Sequence, residues 1–220
     1  KTFGKTKMSN LEVIDILVDT VLQYDMVSVQ EIRDIDQNVP YQFLDAINNQ
    51  SNNTWDMKLS ERSGQQEDDT SYQEQYAFYY NTTVFSPIND SLYNDSEFDL
   101  FQKEPYIGSF EMLNASGNYS GFNFTLITIH TKPAIAMEEI NALHTVVQDY
   151  QQQNPDEPDI VILGDYNAGC SYASPEELWQ SPMRNSSYTW LVPDSADTTV
   201  SSTYCAYDRI VTTGDLSGRL

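Results

Sequence analysis

Four polar residues stand just after short apolar runs. Glu31 follows Met26-Val27-Ser28-Val29-Gln30, His130 follows Phe122 to Ile129, and Asp165 and Asn167 follow Asp159 to Gly164. Strand ends on one edge of a sheet can converge on one cleft. A carboxylate, an imidazole and an Asp/Asn pair gathered there suit a hard divalent cation and a phosphate. Each residue also has a plainer reading. Glu31 fits a surface acid, His130 a satisfied core histidine, and Asp165-Tyr166-Asn167 an ordinary turn.

Strands and helices must bring these residues together. Ser9-Asn10-Leu11-Glu12 reads as a capping box opening an amphipathic helix with Leu11, Ile14, Leu17, Val18, Val21 and Leu22 on its apolar stripe. Tyr41 to Asn48 reads as a second helix, and Ala134 to Gln153 as the longest, turning Ile135, Ile140, Leu143, Val146 and Val147 inward. Strands are expected at Met26 to Gln30, Trp55 to Leu59, Tyr76 to Tyr80, Tyr106 to Leu113, Phe122 to Ile129 and Asp159 to Gly164, with another beginning at Ile210-Val211. Ser63 to Asp69 and Ser86 to Ser96 read as polar loops. Hairpin-like stretches occur beside crossovers. The expected class is α/β, a two-layer mixed β-sandwich flanked by helices, in one domain spanning 1–220.

The net charge is −22. Phosphate neutralisation supplies most non-specific affinity for DNA, so the charge argues at face value against binding by general electrostatics. Local cations or a small cluster of Lys and Arg would have to carry any such contact. No apolar run approaches about 18 residues, so no membrane-spanning helix is expected. Lys1-Thr2-Phe3-Gly4 does not open a signal peptide, which leaves a mature or trimmed chain as the expectation. N-x-S/T sequons begin at Asn49, Asn52, Asn81, Asn89, Asn94, Asn114, Asn118, Asn123 and Asn185. They point to a glycosylated, secreted protein. In that setting the two cysteines, Cys170 and Cys205, are expected to pair, although two is also what chance supplies.

Two segments say more. Ile162 to Tyr172 reads I-L-G-D-Y-N-A-G-C-S-Y, and Asp194 to Val211 reads D-S-A-D-T-T-V-S-S-T-Y-C-A-Y-D-R-I-V. A G-D-x-N-A element marks the metal-dependent phosphodiesterase superfamily. With D-S-A-D-T-T, C-A-Y-D-R-I and the cysteine pair, the chain resembles the deoxyribonuclease I family, in order over nearly its whole length. The resemblance implies roles residue by residue. Val29-Gln30-Glu31-Ile32-Arg33-Asp34 looks like the segment whose Glu binds the catalytic metal and whose Arg enters the minor groove. Ser71-Tyr72-Gln73-Glu74 resembles the one whose Tyr packs on a deoxyribose and whose Glu orients a catalytic His. That His is His130, in Thr128-Ile129-His130-Thr131-Lys132-Pro133. Asp165 and Asn167 would handle metal and scissile phosphate, and Asp208 would partner a second catalytic His. Tyr207 would also contact substrate.

By the same resemblance, Mg²⁺ serves catalysis and Ca²⁺ serves structure. Asp197, Thr199, Ser201 and Thr203 match a calcium loop beside a disulfide between Cys170 and Cys205. Asp99, Phe101 and Glu104 partly match a second calcium loop, although the small extra disulfide often found there is missing. The implied activity is endonucleolytic hydrolysis of double-stranded DNA with little sequence specificity. Lys103 stands where the family usually has a DNA-contacting Arg, and Gly169 replaces an acidic residue beside Cys170. Some relatives bind actin, but Met57-Lys58-Leu59 puts a charge into that apolar contact, so actin is not an expected partner.

The family pattern also contains a first strand with a metal-adjacent Asn and a final Ser-Asp-His-x-Pro segment. Neither matches a stretch of these 220 residues. The expectation is a chain incomplete at both ends, whose second catalytic His lies beyond Leu220; His144, mid-helix, is expected at the surface. Two alternatives compete. One is a catalytically inactive, glycosylated structural or binding protein, self-assembling with strands supplied by a neighbour. The other is a phosphodiesterase for lipid or inositol phosphates, which shares Glu31, His130, Asp165 and Asn167 but leaves Arg33, Tyr72 and the disulfide loop unexplained.

Overall fold

The computed structural model describes residues 2–64, 72–214 and 216. Ser71 and most of the Ser63 to Asp69 loop lie outside them. The chain is α/β, with two β-sheets flanked by helices, as expected. It forms two compact units, Lys1–Ser91 with Gly108–Asn123, and Leu92–Ile107 with Phe124–Leu220.

The first unit opens with α1 (Lys5–Met8) and α2 (Leu11–Val21). Asn10, rather than Ser9, caps α2, accepting a bond from the Val13 N–H at 3.3 Å. Ser9 instead donates to the Thr6 carbonyl at 3.0 Å. Ile14, Val18 and Val21 are buried as expected, whereas Leu11 is 75% exposed and leaves the stripe. A three-stranded antiparallel sheet runs β1 (Met26–Ile32), β3 (Gln75–Asn81), β2 (Trp55–Leu59) in that spatial order. All seven residues of β3 are buried, which is why it reads as a continuous apolar run without alternation. Helix α3 (Val39–Gln50) is longer than its periodic core suggested. Pro40 suits its first turn, where no donor is needed. Phe43 packs edge-on against Phe3 and Tyr79, with ring centres 5.0 and 5.3 Å apart.

The stretch expected as the Ser86 to Ser96 loop is instead largely strand β4 (Phe85–Leu92). It is an edge strand of the second sheet. Polar residues and Pro87 are what edge strands tolerate, and they hid it from a reading based on apolar runs. The sequon at Asn81 is a further correction. Asn81 is buried, its amide donating to Asp25 and accepting from Thr83, so the folded chain does not present it for glycosylation. Asn123 is only partly exposed; the other seven sequon asparagines are exposed.

Strands β5 (Tyr106–Leu113) and β6 (Tyr119–His130) contribute residues to both units. The second unit adds α4 (Ala136–Gln153), β7 (Ile160–Asp165), α5 (Pro175–Gln180), β8 (Thr189–Trp190) and β9 (Asp208–Thr212). The second sheet has the order β4-β5-β6-β7-β9-β8. Strands β6 and β7 are parallel, and α4 is the crossover such a pair requires. Ile140, Leu143, Val146 and Val147 of α4 pack on Ile127, Ile129, Ile160 and Ile162. His144 is half-buried rather than on the surface, its Nδ1 2.7 Å from the Tyr188 hydroxyl. Among the described residues, no helix is long and apolar enough to cross a membrane.

Candidate active site

In the second unit, pairing register lines up the candidate chemistry. His130 lies opposite Asp165 on the parallel pair β6/β7, and Asp165 lies opposite Asp208 on the antiparallel pair β7/β9. An imidazole and two carboxylates therefore occupy one row across three adjacent strands. All three stand at strand ends, where the sheet gives way to loops.

The turn after β7 is held from several sides. The Asn167 N–H donates to Asp165 Oδ1 at 2.9 Å, and Asn167 Nδ2 donates to the Thr131 carbonyl at 3.0 Å. Asn167 has φ 48°, a left-handed conformation Asn adopts more readily than most residues. Its amide is thus fixed to the residue that follows His130. Tyr166, between the two, is buried, and among the described residues its hydroxyl finds no hydrogen-bond partner. Burial raises its phenol well above the usual range.

The Asp208 carboxyl is raised by partial loss of water around its oxygens and by the charge of Asp165, although the residue as a whole is exposed. The Thr198 hydroxyl and the charge of His130 pull the other way. A carboxylate beside another carboxylate is a concentration of negative charge that a cation relieves. Asp165 and the side-chain oxygen of Asn167 therefore fit a divalent ion, with Asp208 next to them in the row. Among the described residues, no three His, Cys, Asp or Glu gather into a ready-made cage. An ion that keeps waters and takes one or two carboxylates, with the rest of its shell from substrate oxygens, needs none.

The loop before β9 is joined to this row. The Tyr207 and Asp208 N–H groups both donate to Thr198 Oγ1, each at 3.0 Å. Within the expected calcium loop, Asp197 Oδ1 accepts from the Thr199 N–H at 3.1 Å and hydroxyl at 2.9 Å. The Ser201 and Thr203 hydroxyls lie 2.5 Å apart. Asp197, Ser201 and Thr203 are exposed and Thr199 is half-buried, and hydrogen bonding to Thr199 holds the Asp197 carboxyl below its ordinary value. The donor set suits Ca²⁺. Cys170 and Cys205 form the expected disulfide, with Cα atoms 5.9 Å apart. The Tyr172 and Tyr207 rings lie 5.5 Å apart beside it.

Sequence reasoning missed Arg209. Its side chain is 1% exposed, pairs with Asp194 at 2.9 Å, and donates to the carbonyls of Val192 at 3.0 Å and Ala168 at 2.8 Å. One guanidinium thus ties the Asn167 turn to the chain entering the calcium loop. Arg184 shares Asp194 and stacks on Trp190, its guanidinium carbon 3.8 Å from the ring centre. Strand alternation was the available signal, since Arg209 and Val211 share a face.

The second expected calcium loop is less clear-cut. Asp99 is exposed with φ 47°, and the carboxylate that organises the loop is Asp95, which accepts from the Phe101 N–H at 2.9 Å. Glu104 is partly buried. Lys103 is buried, at 7% exposure, which corrects the expectation of a cation open to DNA.

The remaining candidates belong to the first unit. Glu31 lies inside β1, not after it, with φ 54° at a register shift between Val29 and Ile32. Such a bulge re-aims a side chain. Thr2 Oγ1 donates to Glu31 Oε2 at 3.3 Å. Arg33 Nε donates to Glu74 Oε1 at 3.0 Å, and its Nη2 lies 2.5 Å from the same oxygen. Glu74 is fully buried, while Tyr72 is half-exposed with the Arg33 guanidinium carbon 5.9 Å from its ring centre. Arg33, Tyr72 and Glu74 are therefore one cluster, and Arg33 is tethered rather than loose.

A family model described as the Endonuclease/Exonuclease/phosphatase family matches residues 3–219. Deoxyribonuclease-1 of Homo sapiens is 37% identical over 229 residues, covering 98% of this chain and 75% of that protein. Deoxyribonuclease-1 of Equus caballus is 38% identical over 222 residues, with the same coverages of 98% and 75%. Two solved structures share the fold at 12% identity. An endonuclease/exonuclease/phosphatase from Bacteroides vulgatus has a TM-score of 0.64, covering 97% of this chain and 84% of that one. A humanized D. rerio TDP2 has a TM-score of 0.60, covering 97% and 82%. Motifs, fold and sequence identity agree: the chain belongs to the deoxyribonuclease I family, within the wider endonuclease/exonuclease/phosphatase family.

Proposed function

We propose that this chain serves a secreted, metal-dependent endonuclease that hydrolyses phosphodiester bonds of double-stranded DNA with little sequence preference. The observation that carries the reading is the row His130–Asp165–Asp208 with Asn167 fixed beside it. Water attacks phosphorus, a new P–O bond forms, and the bond to the leaving oxygen breaks. His130 exchanges a proton with one of the reacting oxygens as general base or acid. Asn167 offers an amide to the phosphate from a fixed turn. Asp165 would hold Mg²⁺, which when bound supplies positive charge against the charge developing on the phosphoryl oxygens, and Asp208 would partner a second catalytic His as the resemblance implies.

The family resemblance adds Glu31 as a ligand and Glu74 as the partner that orients His130. It adds Arg33, Tyr72 and Tyr207 as substrate contacts, with Arg33 in the minor groove, where discrimination between sequences is slight. Ca²⁺ would be structural, at Asp197, Thr199, Ser201 and Thr203. The disulfide and the exposed sequons support an extracellular setting. His130→Ala is expected to lower the rate of DNA cleavage at least ~10²-fold, as removal of a general acid–base group does. Cleavage at the parent rate by that variant would remove the reading and favour a binding or scaffolding role for the fold.

A further inference from the structure

Glu139 takes part in nothing described so far, yet it is a carboxylate at 1% exposure. It lies in the first turn of α4, where the helix dipole favours negative charge. Its two oxygens face different segments. Oε1 accepts from the Gln102 N–H at 2.7 Å, and Oε2 accepts from the Lys132 N–H at 2.6 Å. Gln102 precedes Lys103 in the loop between β4 and β5. Lys132 follows His130 by two residues, and Asn167 holds the intervening Thr131. All of these residues belong to the second unit.

We propose that Glu139 is a positioning residue. It fixes the His130 strand end and the Gln102-Lys103 loop in one geometry, as a two-acceptor joint between them. The proposal rests on the nuclease reading for its effect on rate, but not for the joint itself.

The chemistry of the side chain supports this. The site has two backbone donors arriving from two segments. A carboxylate presents two acceptor oxygens and no donor. A glutamine has one acceptor, and its NH₂ would face the second N–H donor to donor. Serine or threonine would reach one segment only. Burial pushes the Glu139 carboxyl up, against the pull of the two N–H bonds and the charges of Lys103 and His130. An unpaired buried carboxylate is strongly disfavoured. The cost of burial is therefore offset by the segments it joins, and each segment's order depends on the same group. A helix that only packed on the sheet would place an apolar residue here, as α4 does at Ile140 and Leu143.

The test compares Glu139→Ala and Glu139→Asp with the parent, and uses Ile140→Val as a control that loosens the same helix without touching either bond. Two readouts are taken well below each melting temperature. The first is amide hydrogen exchange at Gln102 and Lys132. The second is kcat and KM for plasmid nicking with Mg²⁺. In Glu139→Ala, which removes both acceptors, protection is expected to fall at both amides together and kcat to drop about tenfold, a scale typical of lost positioning, with KM changed much less. Glu139→Asp should recover part of both, while Ile140→Val leaves kcat unchanged. Loss of protection at one amide alone would overturn the joint. Loss at both with kcat unchanged would reduce Glu139 to a structural role and overturn the positioning claim. A parent chain that does not nick would count against the nuclease reading, and the exchange data would still decide the joint.

Discussion

Asp34 shows how much one side chain can organise next to a functional segment. It follows Arg33, and its Oδ2 accepts from the Asn38 N–H at 2.7 Å and the Val39 N–H at 3.0 Å, so it caps α3 from four residues upstream. Burial pushes its carboxyl up, but the backbone donors of Val39, Asn38 and Asp36, helped by the charge of Lys5, hold it below the ordinary value of 3.8. A depressed carboxyl stabilises the fold above its unfolded pKa, and that stability is lost as pH falls through the folded pKa. Asp34→Ala is therefore expected to cost about 1–3 kcal/mol at neutral pH. In denaturant melts the difference from the parent should shrink below about pH 4. A difference independent of pH would contradict the cap. Residues of this kind were half legible. Glu31, His130, Asp165 and Asn167 stand out because each interrupts or ends an apolar run. Asp34 and Glu139 do not, since their partners are backbone groups that no motif announces.

At the scale of elements, strands whose apolar residues alternate or run together could be read from the sequence to within a residue or two, as β2 and β5 were. Strand β4 could not, because an edge strand needs only its backbone bonds and tolerates polar side chains. The bulge at Glu31 was equally hidden, since no glycine marks its left-handed φ. The row of His130, Asp165 and Asp208 depends on register between β6, β7 and β9, and register is set by packing over the whole sheet. The disulfide makes its own contribution here. It clamps the Asn167 turn to the strand entry at β9 across a separation of 35 residues. Its reduction is expected to remove about 4 kcal/mol and lower the melting temperature by roughly 8–16 °C. Calorimetry with and without reductant measures this, and an unchanged transition would show the bond to be energetically idle.

For the whole molecule, the charge of −22 must be reconciled with a polyanionic substrate. Cations are few, and several are committed. Arg209 and Lys103 are buried, and Lys58 and Arg184 pair with Asp90 and Asp194. Lys5, Lys7 and Arg33 line one cavity of about 400 Å³ in the first unit, where Lys5 also meets Asp36. Few phosphates can then be neutralised by side chains. The logarithm of DNA affinity, measured by anisotropy in chelator, is expected to fall with the logarithm of salt at a slope no steeper than about −3. A slope near −6 would mean a basic surface that this charge distribution does not provide. On the proposed reading divalent ions would carry what the side chains lack, and the row of His130, Asp165 and Asp208 is where that reading is tested. The most direct test is nicking of supercoiled plasmid by the protein from its source, with Mg²⁺ and Ca²⁺ and then with chelator. The account predicts nicking that chelator abolishes. Pure, folded protein that leaves the plasmid intact, or that nicks it equally well in chelator, would contradict it.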